Sequence, residues 1–265
     1  MSVVEAMLLG VVQGLTEFLP VSSSGHLAVL KHLFGQGEVP LLFDVLLHIS
    51  TLGVVIIVFR ARIGGIIMSV ARWLARREQM ESDAEHLRIV WLGLAATVVT
   101  GVLGVTVSGF EPGQYPKLVG VLFLVTAGLL LLTRLAHGVR GYGEMGVGRA
   151  LLAGFAQGLG VFPGISRAGI TISAGLLSGL ARRQAAEFSF LISIPAVLGA
   201  FVLTARDVGE LSATVPAPSL VAGLVSSFVV GLLSLKLLLR LVRGGRLYLF
   251  ALYLIPLGII TLVFT

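Results

Sequence analysis

Six stretches of this chain run with almost no formal charge for about the ~20 residues that a helix needs to cross the hydrocarbon of a bilayer. They are Leu41 to Phe59, Arg88 to Val107, Leu118 to Leu135, Glu187 to Ala205, Leu220 to Leu241 and Leu247 to Phe264. Backbone polar groups in hydrocarbon must be satisfied within the chain, so these runs are read as helices and the protein as integral to a membrane. Composition agrees, since 56% of residues are apolar and only 12% charged, against roughly 25% charged in soluble domains. Because such runs fill most of the 265 residues, the chain reads as a single membrane domain over 1–265. The net charge of +6 comes from arginines gathered in a few loops, so it reports orientation and contact with anionic lipid, with no nucleic acid expected. Cysteine is absent, which excludes disulfide and thiolate chemistry. The start, Met1 to Glu5, has no basic region and no small-residue cleavage site follows, so it is read as mature structure.

Two segments remain, Val3 to Phe34 and Gly148 to Leu180. Both are apolar but interrupted, the first by Pro20 and Ser22-Ser23-Ser24-Gly25, the second by Pro163-Gly164. Each is expected to form a re-entrant helical hairpin, because breaks at membrane depth free backbone groups that protein, water or a ligand must satisfy. The two also align: Leu9 to Leu15 matches Ala153 to Leu159, and Val21-Ser22-Ser23 falls near Gly164-Ile165-Ser166. An internal duplication follows, with residues 1–135 as first repeat and 148–265 as second; chance similarity of Gly-rich and Leu-rich sequence is the alternative. Arginines between Arg60 and Arg88, at Arg134, Arg140 and Arg149, and at Arg240, Arg243 and Arg246 place those loops in the cytoplasm. The turns Glu111 to Lys117 and Arg206 to Pro218, together with Gln36, then fall outside. That threading inverts the second repeat, and the hairpin tips are expected to meet near the midplane. The fold class is therefore an all-α polytopic membrane protein, with six transmembrane helices plus two re-entrant hairpins in an inverted-topology repeat.

The interruptions carry the chemistry. Ser166 reads as the N-cap of a helix whose free N–H groups suit a phosphate or carboxylate, and Arg167 adds a bidentate fork for the same anion. Pairing of Arg167 with Glu17 is the alternative. Glu17 is an isolated carboxylate in apolar sequence, which needs a metal or an arginine to hold its charge. Gln13, one turn earlier, offers an oxygen ligand or links helices. If a helix starts in the serine run, Ser23 and His26 share a face and the imidazole could take the hydroxyl proton; a packing role for both is the plainer reading. From the residues alone this is a site for an anionic, phosphorylated ligand.

The runs Gln13 to His26 and Pro163 to Thr171, followed by Glu187-Phe188-Ser189-Phe190-Leu191, resemble the undecaprenyl-diphosphate phosphatase family associated with bacitracin resistance, over essentially the whole chain. The resemblance implies hydrolysis of the C55 polyprenyl diphosphate carrier to its monophosphate, which recycles the carrier for peptidoglycan synthesis. It implies Glu17 for metal and proton handling, Ser23 as candidate nucleophile, His26 as acid/base and Arg167 as a catalytic cation. Gln13, Ser22, Ser24, Gly164, Ser166 and Thr171 would serve the diphosphate. The implied cofactor is a divalent cation, Mg²⁺ or alternatively Ca²⁺. The implied partners are the polyprenyl lipid and the bilayer of a bacterial inner membrane, with the site opening to the periplasmic side and a homodimer left open. Gln13 stands where the family often has a first glutamate, and Ala168 where it usually has a serine. A secondary transporter or flippase for an anionic or lipid-phosphate substrate is the competing class, because inverted repeats with broken helices are common there.

Overall fold

The computed structural model describes residues 1–27, 41–107, 116–205, 211 and 214–264. Phe34 and Gln36, and much of the two turns expected outside, lie beyond them. Among the described residues the helices are α1 (Val3–Phe18), α2 (Leu41–Val58), α3 (Arg60–Leu74), α4 (Asp83–Val107), α5 (Pro116–Leu132), α6 (Val147–Leu159), α7 (Arg167–Leu177), α8 (Arg182–Thr204), α9 (Ala217–Arg243) and α10 (Ala251–Phe264). Six helical segments are long and apolar enough to cross a membrane, and each overlaps one of the expected runs. The chain is an all-α, multi-pass membrane protein. The helices extend past the apolar runs at charged ends: α8 begins at Arg182 and α9 ends with Arg240 and Arg243 in its last turn, where cations suit the carbonyl end of a helix. One helix was not foreseen. The arginine-rich stretch from Arg60, read as loop, forms α3, whose Ile63, Ile66 and Ile67 recur at helical spacing.

Without a hydrophobic drive between helices in lipid, close approach of small residues supplies much of the packing. Helix α1 lies against α9 so closely that a Cβ at Gly10 would stand 2.2 Å from the Gly223 carbonyl oxygen. Helix α6 repeats this on α4, where a Cβ at Gly154 would meet the Ala96 carbonyl oxygen at 2.3 Å. The Thr100 hydroxyl donates to the Gly154 carbonyl across that contact, at 2.9 Å. Phe190 of α8 joins the halves of the core, edge-on to Phe18 of α1 and stacked on Phe59 after α2.

A side chain at either glycine must push two backbones apart. Gly10→Val and Gly154→Val are each expected to destabilise the protein by about 1–3 kcal/mol or more. Gly128→Val, with open space at its Cβ, should change little. Thermal denaturation of detergent-extracted protein separates the cases; equal midpoints for all three would contradict this packing.

Both interrupted segments are helix, break, helix. Helix α1 ends at Phe18, the chain turns through Leu19 to Ser22, and helix resumes over 23–27. Helix α6 ends at Leu159, and α7 starts at Arg167. The two breaks touch: the Gly164 N–H donates to Ser22 Oγ at 2.9 Å. Both sit in the left-handed region, Ser22 at φ 70° and Gly164 at φ 96°. That conformation is natural for glycine and strained for serine, so the surroundings must hold Ser22 there.

Candidate functional site

The touching breaks form one wall of a pocket of about 180 Å³, lined among others by Glu17, Ser22, Ser23, Ser24, Ser166 and Arg167. Glu17 comes from the end of α1 and is buried. Ser166 is the N-cap of α7, its Oγ accepting from the Gly169 N–H at 3.1 Å, which leaves Arg167 as the first helical residue, facing the pocket. Thr126 of α5 fixes this break from behind. Its hydroxyl donates to the Gly164 carbonyl at 3.1 Å and accepts from the Ser166 N–H at 3.3 Å.

Glu17 is the hub. Arg167 Nη2 donates to its Oε1, and the Ser23 hydroxyl donates to its Oε2 at 2.9 Å. His48 Nδ1 stands 3.0 Å from Oε2, and Gln13 Nε2 lies 3.1 Å from Oε2 and 2.8 Å from His48 Nδ1. The Gln13 amide has two N–H groups, so it can bridge the carboxylate and an unprotonated Nδ1; once protonated, His48 would donate to Glu17 directly. The carboxylate thus meets two cationic or potentially cationic partners in a largely buried setting, where an unpaired charge is costly.

The alternative pairing of Arg167 with Glu17 is therefore present, and it places the guanidinium on the pocket wall. His26 is not brought to Ser23. Its Nδ1 lies 2.8 Å from the Ser22 carbonyl oxygen, and its Nε2 lies 2.7 Å from the Tyr253 hydroxyl on α10. A carbonyl only accepts, so Nδ1 carries the proton and Nε2 accepts from tyrosine. Helical spacing put Ser23 and His26 on one face, but Ser23 opens its helix and its hydroxyl reaches back to α1. Gln13 and Gly164 stand behind the pocket wall, and so does Thr171. One turn beyond Arg167, Thr171 donates to the Arg167 carbonyl at 2.7 Å and touches the Ser189 hydroxyl.

Sequence reasoning missed His48, Thr126 and Tyr253. For His48 a signal existed: it is the one imidazole within the run Leu41 to Phe59, and ionisable residues inside spans are functional candidates by default. His48 and Arg167 also line an adjoining pocket of about 170 Å³ bounded by Val45, Ala196 and Val197, so a polar pocket and a mainly apolar one meet at these two residues.

Among the described residues no group of three or more His, Cys, Asp or Glu side chains gathers as a metal site. A hard divalent cation still fits the donors present. Gln13 Oε1 is buried without a hydrogen-bond partner on the side chain whose amide N–H reaches Glu17, and Mg²⁺ is commonly held by one or two carboxylates plus substrate oxygens.

The family model described as bacitracin resistance protein BacA matches residues 6–260. The chain is 45% identical over 261 residues to a protein of Treponema denticola named undecaprenyl-diphosphatase, covering 98% of this chain and 96% of that one. A protein of the same name from Desulfosudis oleivorans is 45% identical over 272 residues, covering 99% and 98%, and one from Methanosphaera stadtmanae is 39% identical over 273 residues, covering 99% and 98%. With matches of this extent, and with both interrupted segments of the match meeting in one pocket, the chain belongs to the bacitracin resistance protein BacA family.

Proposed function

We propose that this protein hydrolyses undecaprenyl diphosphate to the monophosphate and inorganic phosphate, recycling the lipid carrier for peptidoglycan synthesis. The observation that carries the chemistry is the pair of contacts on Glu17, with the Ser23 hydroxyl on one oxygen and Arg167 on the other. Ser23 Oγ attacks the terminal phosphorus while its proton passes to Glu17 Oε2. The bond from phosphorus to the bridging oxygen breaks, and Glu17 returns the proton to that oxygen as the lipid monophosphate leaves. Water then attacks the phosphoserine, yielding a proton to Glu17, which restores the serine hydroxyl as phosphate departs. When Glu17 is protonated its hold on Arg167 weakens, which frees the guanidinium for the phosphoryl oxygens when their charge is greatest. His26 acts by position, its Nδ1–H holding the Ser22 carbonyl and so the strained turn before Ser23. A divalent cation held by Glu17 and substrate oxygens would neutralise diphosphate charge.

The two interrupted segments act as re-entrant hairpins of an inverted repeat, 1–135 and 148–265. Helices α1 and α6 pack in the same way on the second span of the opposite half, and Gln13 reaches His48 across the same sequence separation, 35 residues, as Gln157 reaches the Ile192 carbonyl. The distribution of loop arginines supports an opening of the site on the outer face of a bacterial inner membrane.

Purified protein given polyprenyl diphosphate and Mg²⁺ should release phosphate, and EDTA should abolish release. Ser23→Ala should lower turnover by about 10²–10⁴ at unchanged protein level. Wild-type turnover in folded Ser23→Ala would leave direct attack by water. No release by the wild type, with uptake of a lipid phosphate into vesicles instead, would favour transport.

A further inference from the structure

A second polar cavity lies well away from Glu17. It is ten residues along α2 from His48, about 15 Å at 1.5 Å per residue, and beside the start of α8. Its volume is about 640 Å³, and Arg62, Arg182, Arg183 and Arg243 line it with His86 and a single carboxylate, Glu187. Arg62 is held in place by its neighbours. Its Nε lies 2.7 Å from Glu187 and its Nη1 donates to Glu85 at 2.7 Å, while its guanidinium lies 5.5 Å from the centre of the Tyr142 ring. Burial first, and the Glu187 charge second, push the Tyr142 phenol well above its ordinary value, so it stays a donor to Glu187, at 3.2 Å.

The other arginines are not matched in this way. Arg183 is only 4.0 Å from Glu187 and largely exposed. Arg243 uses Nε on the Leu239 carbonyl, at 3.1 Å, which leaves its η nitrogens. Arg182 has no carboxylate partner among the described residues, yet it is positioned: a Cβ at Gly245 would meet its Nη2 at 2.6 Å, so the guanidinium lies directly on that backbone. Helix α8 also begins here with no side-chain cap, adding free N–H groups at the same end.

Three of the helices that line this cavity, α3, α4 and α8, continue into an apolar groove. Arg62 gives way to Ile63, Ile66 and Ile67 on α3, His86 to Ile89 and Gly93 on α4, and Glu187 to Leu191 and Pro195 on α8, enclosing about 210 Å³. Cationic donors at one end and a hydrocarbon-lined slot at the other match a molecule with an anionic head and an acyl or prenyl tail.

We propose that the Arg182–Arg243 cavity and the groove between α3, α4 and α8 form a second binding site, separate from the Glu17 pocket, for a membrane lipid with a phosphate headgroup. Arg182 and Arg243 take the phosphate oxygens, and the groove takes the first carbons of the chain.

The test uses whole protein in detergent with dioctanoyl phosphatidic acid as probe, inorganic phosphate and dioctanoylglycerol as controls, and the thermal midpoint as readout. The probe should raise the midpoint of the wild type in a saturable way, and of Arg167→Lys equally, since the Glu17 pocket is not involved. In Arg182→Gln/Arg243→Gln the apparent affinity should fall by about tenfold or more, because neither guanidinium remains to donate to the phosphate, while phosphate release from polyprenyl diphosphate is unchanged. Gly93→Leu, which fills the groove from a position whose nearest neighbour to a Cβ is 3.9 Å away, should also abolish the shift while both arginines remain. An equal shift in the double variant or with dioctanoylglycerol would overturn the headgroup assignment. An equal shift in Gly93→Leu, or with inorganic phosphate alone, would overturn the lipid assignment. Loss of the shift in Arg167→Lys would place the probe in the Glu17 pocket and overturn the second site.

Discussion

Arg167→Lys is expected to fold and insert as the parent does, yet to release phosphate about 10²–10³ times more slowly, the loss typical when one donor to a developing oxyanion is removed. Lysine keeps the positive charge beside Glu17, so the ion pair and the stability it supports largely survive. It lacks the planar fork, and a point charge on a flexible stem cannot hold two phosphoryl oxygens in fixed geometry. The informative comparison is activity beside thermal midpoint in detergent. A variant near wild type in both would mean that Arg167 serves only as counter-charge for Glu17, and the clamp assignment would fail.

Glu17→Gln is expected to be worse on both axes. It removes the group that takes the Ser23 proton, about 10²–10⁴ in rate, and leaves Arg167 without its partner in a low-dielectric setting. Breaking a buried pair by removing one side typically costs about 3–5 kcal/mol; with Arg167 about one-fifth exposed, the lower part of that range applies. Adding Arg167→Gln should recover much of the stability, because it removes the uncompensated charge and leaves two neutral amides that can hydrogen-bond each other. Activity should not return. Phosphate release by the double variant would remove both residues from the catalytic role.

The spans were legible because hydrocarbon imposes one simple demand, some 20 residues without charge, and that demand is visible residue by residue. Helix α3 was not, because its arginines outweigh Ile63, Ile66 and Ile67 in any count of charge, and only the period of those three residues betrays the apolar face. At the site, residues that break a helix announce themselves: Pro20, the serine run, Pro163 and Gly164 mark the two turns that meet. What local sequence could not supply was direction. Spacing put His26 beside Ser23, but the partner of His26 is Tyr253, 227 residues away. His48 escaped because its span holds no break to mark it, although Asp44 stands one helical turn before it in the same run. Its neighbours Gln13 and Glu17 arrive from another helix.

The packing of α1 on α9 has a consequence for how the protein is made. Glu17 leaves the ribosome 150 residues ahead of Arg167, which at about 5–20 residues per second is roughly 8–30 s. Until then its carboxylate has no guanidinium to meet. The groove that receives Gly10 is completed later still, when residues 217–243 have been synthesised, and Tyr253 reaches His26 only after that. The first helix translated is thus among the last to find its seat. Membrane insertion cannot finish this protein helix by helix from the N-terminus, and a nascent chain stalled before α9 should hold α1 accessible to proteases and crosslinkers that the completed chain excludes.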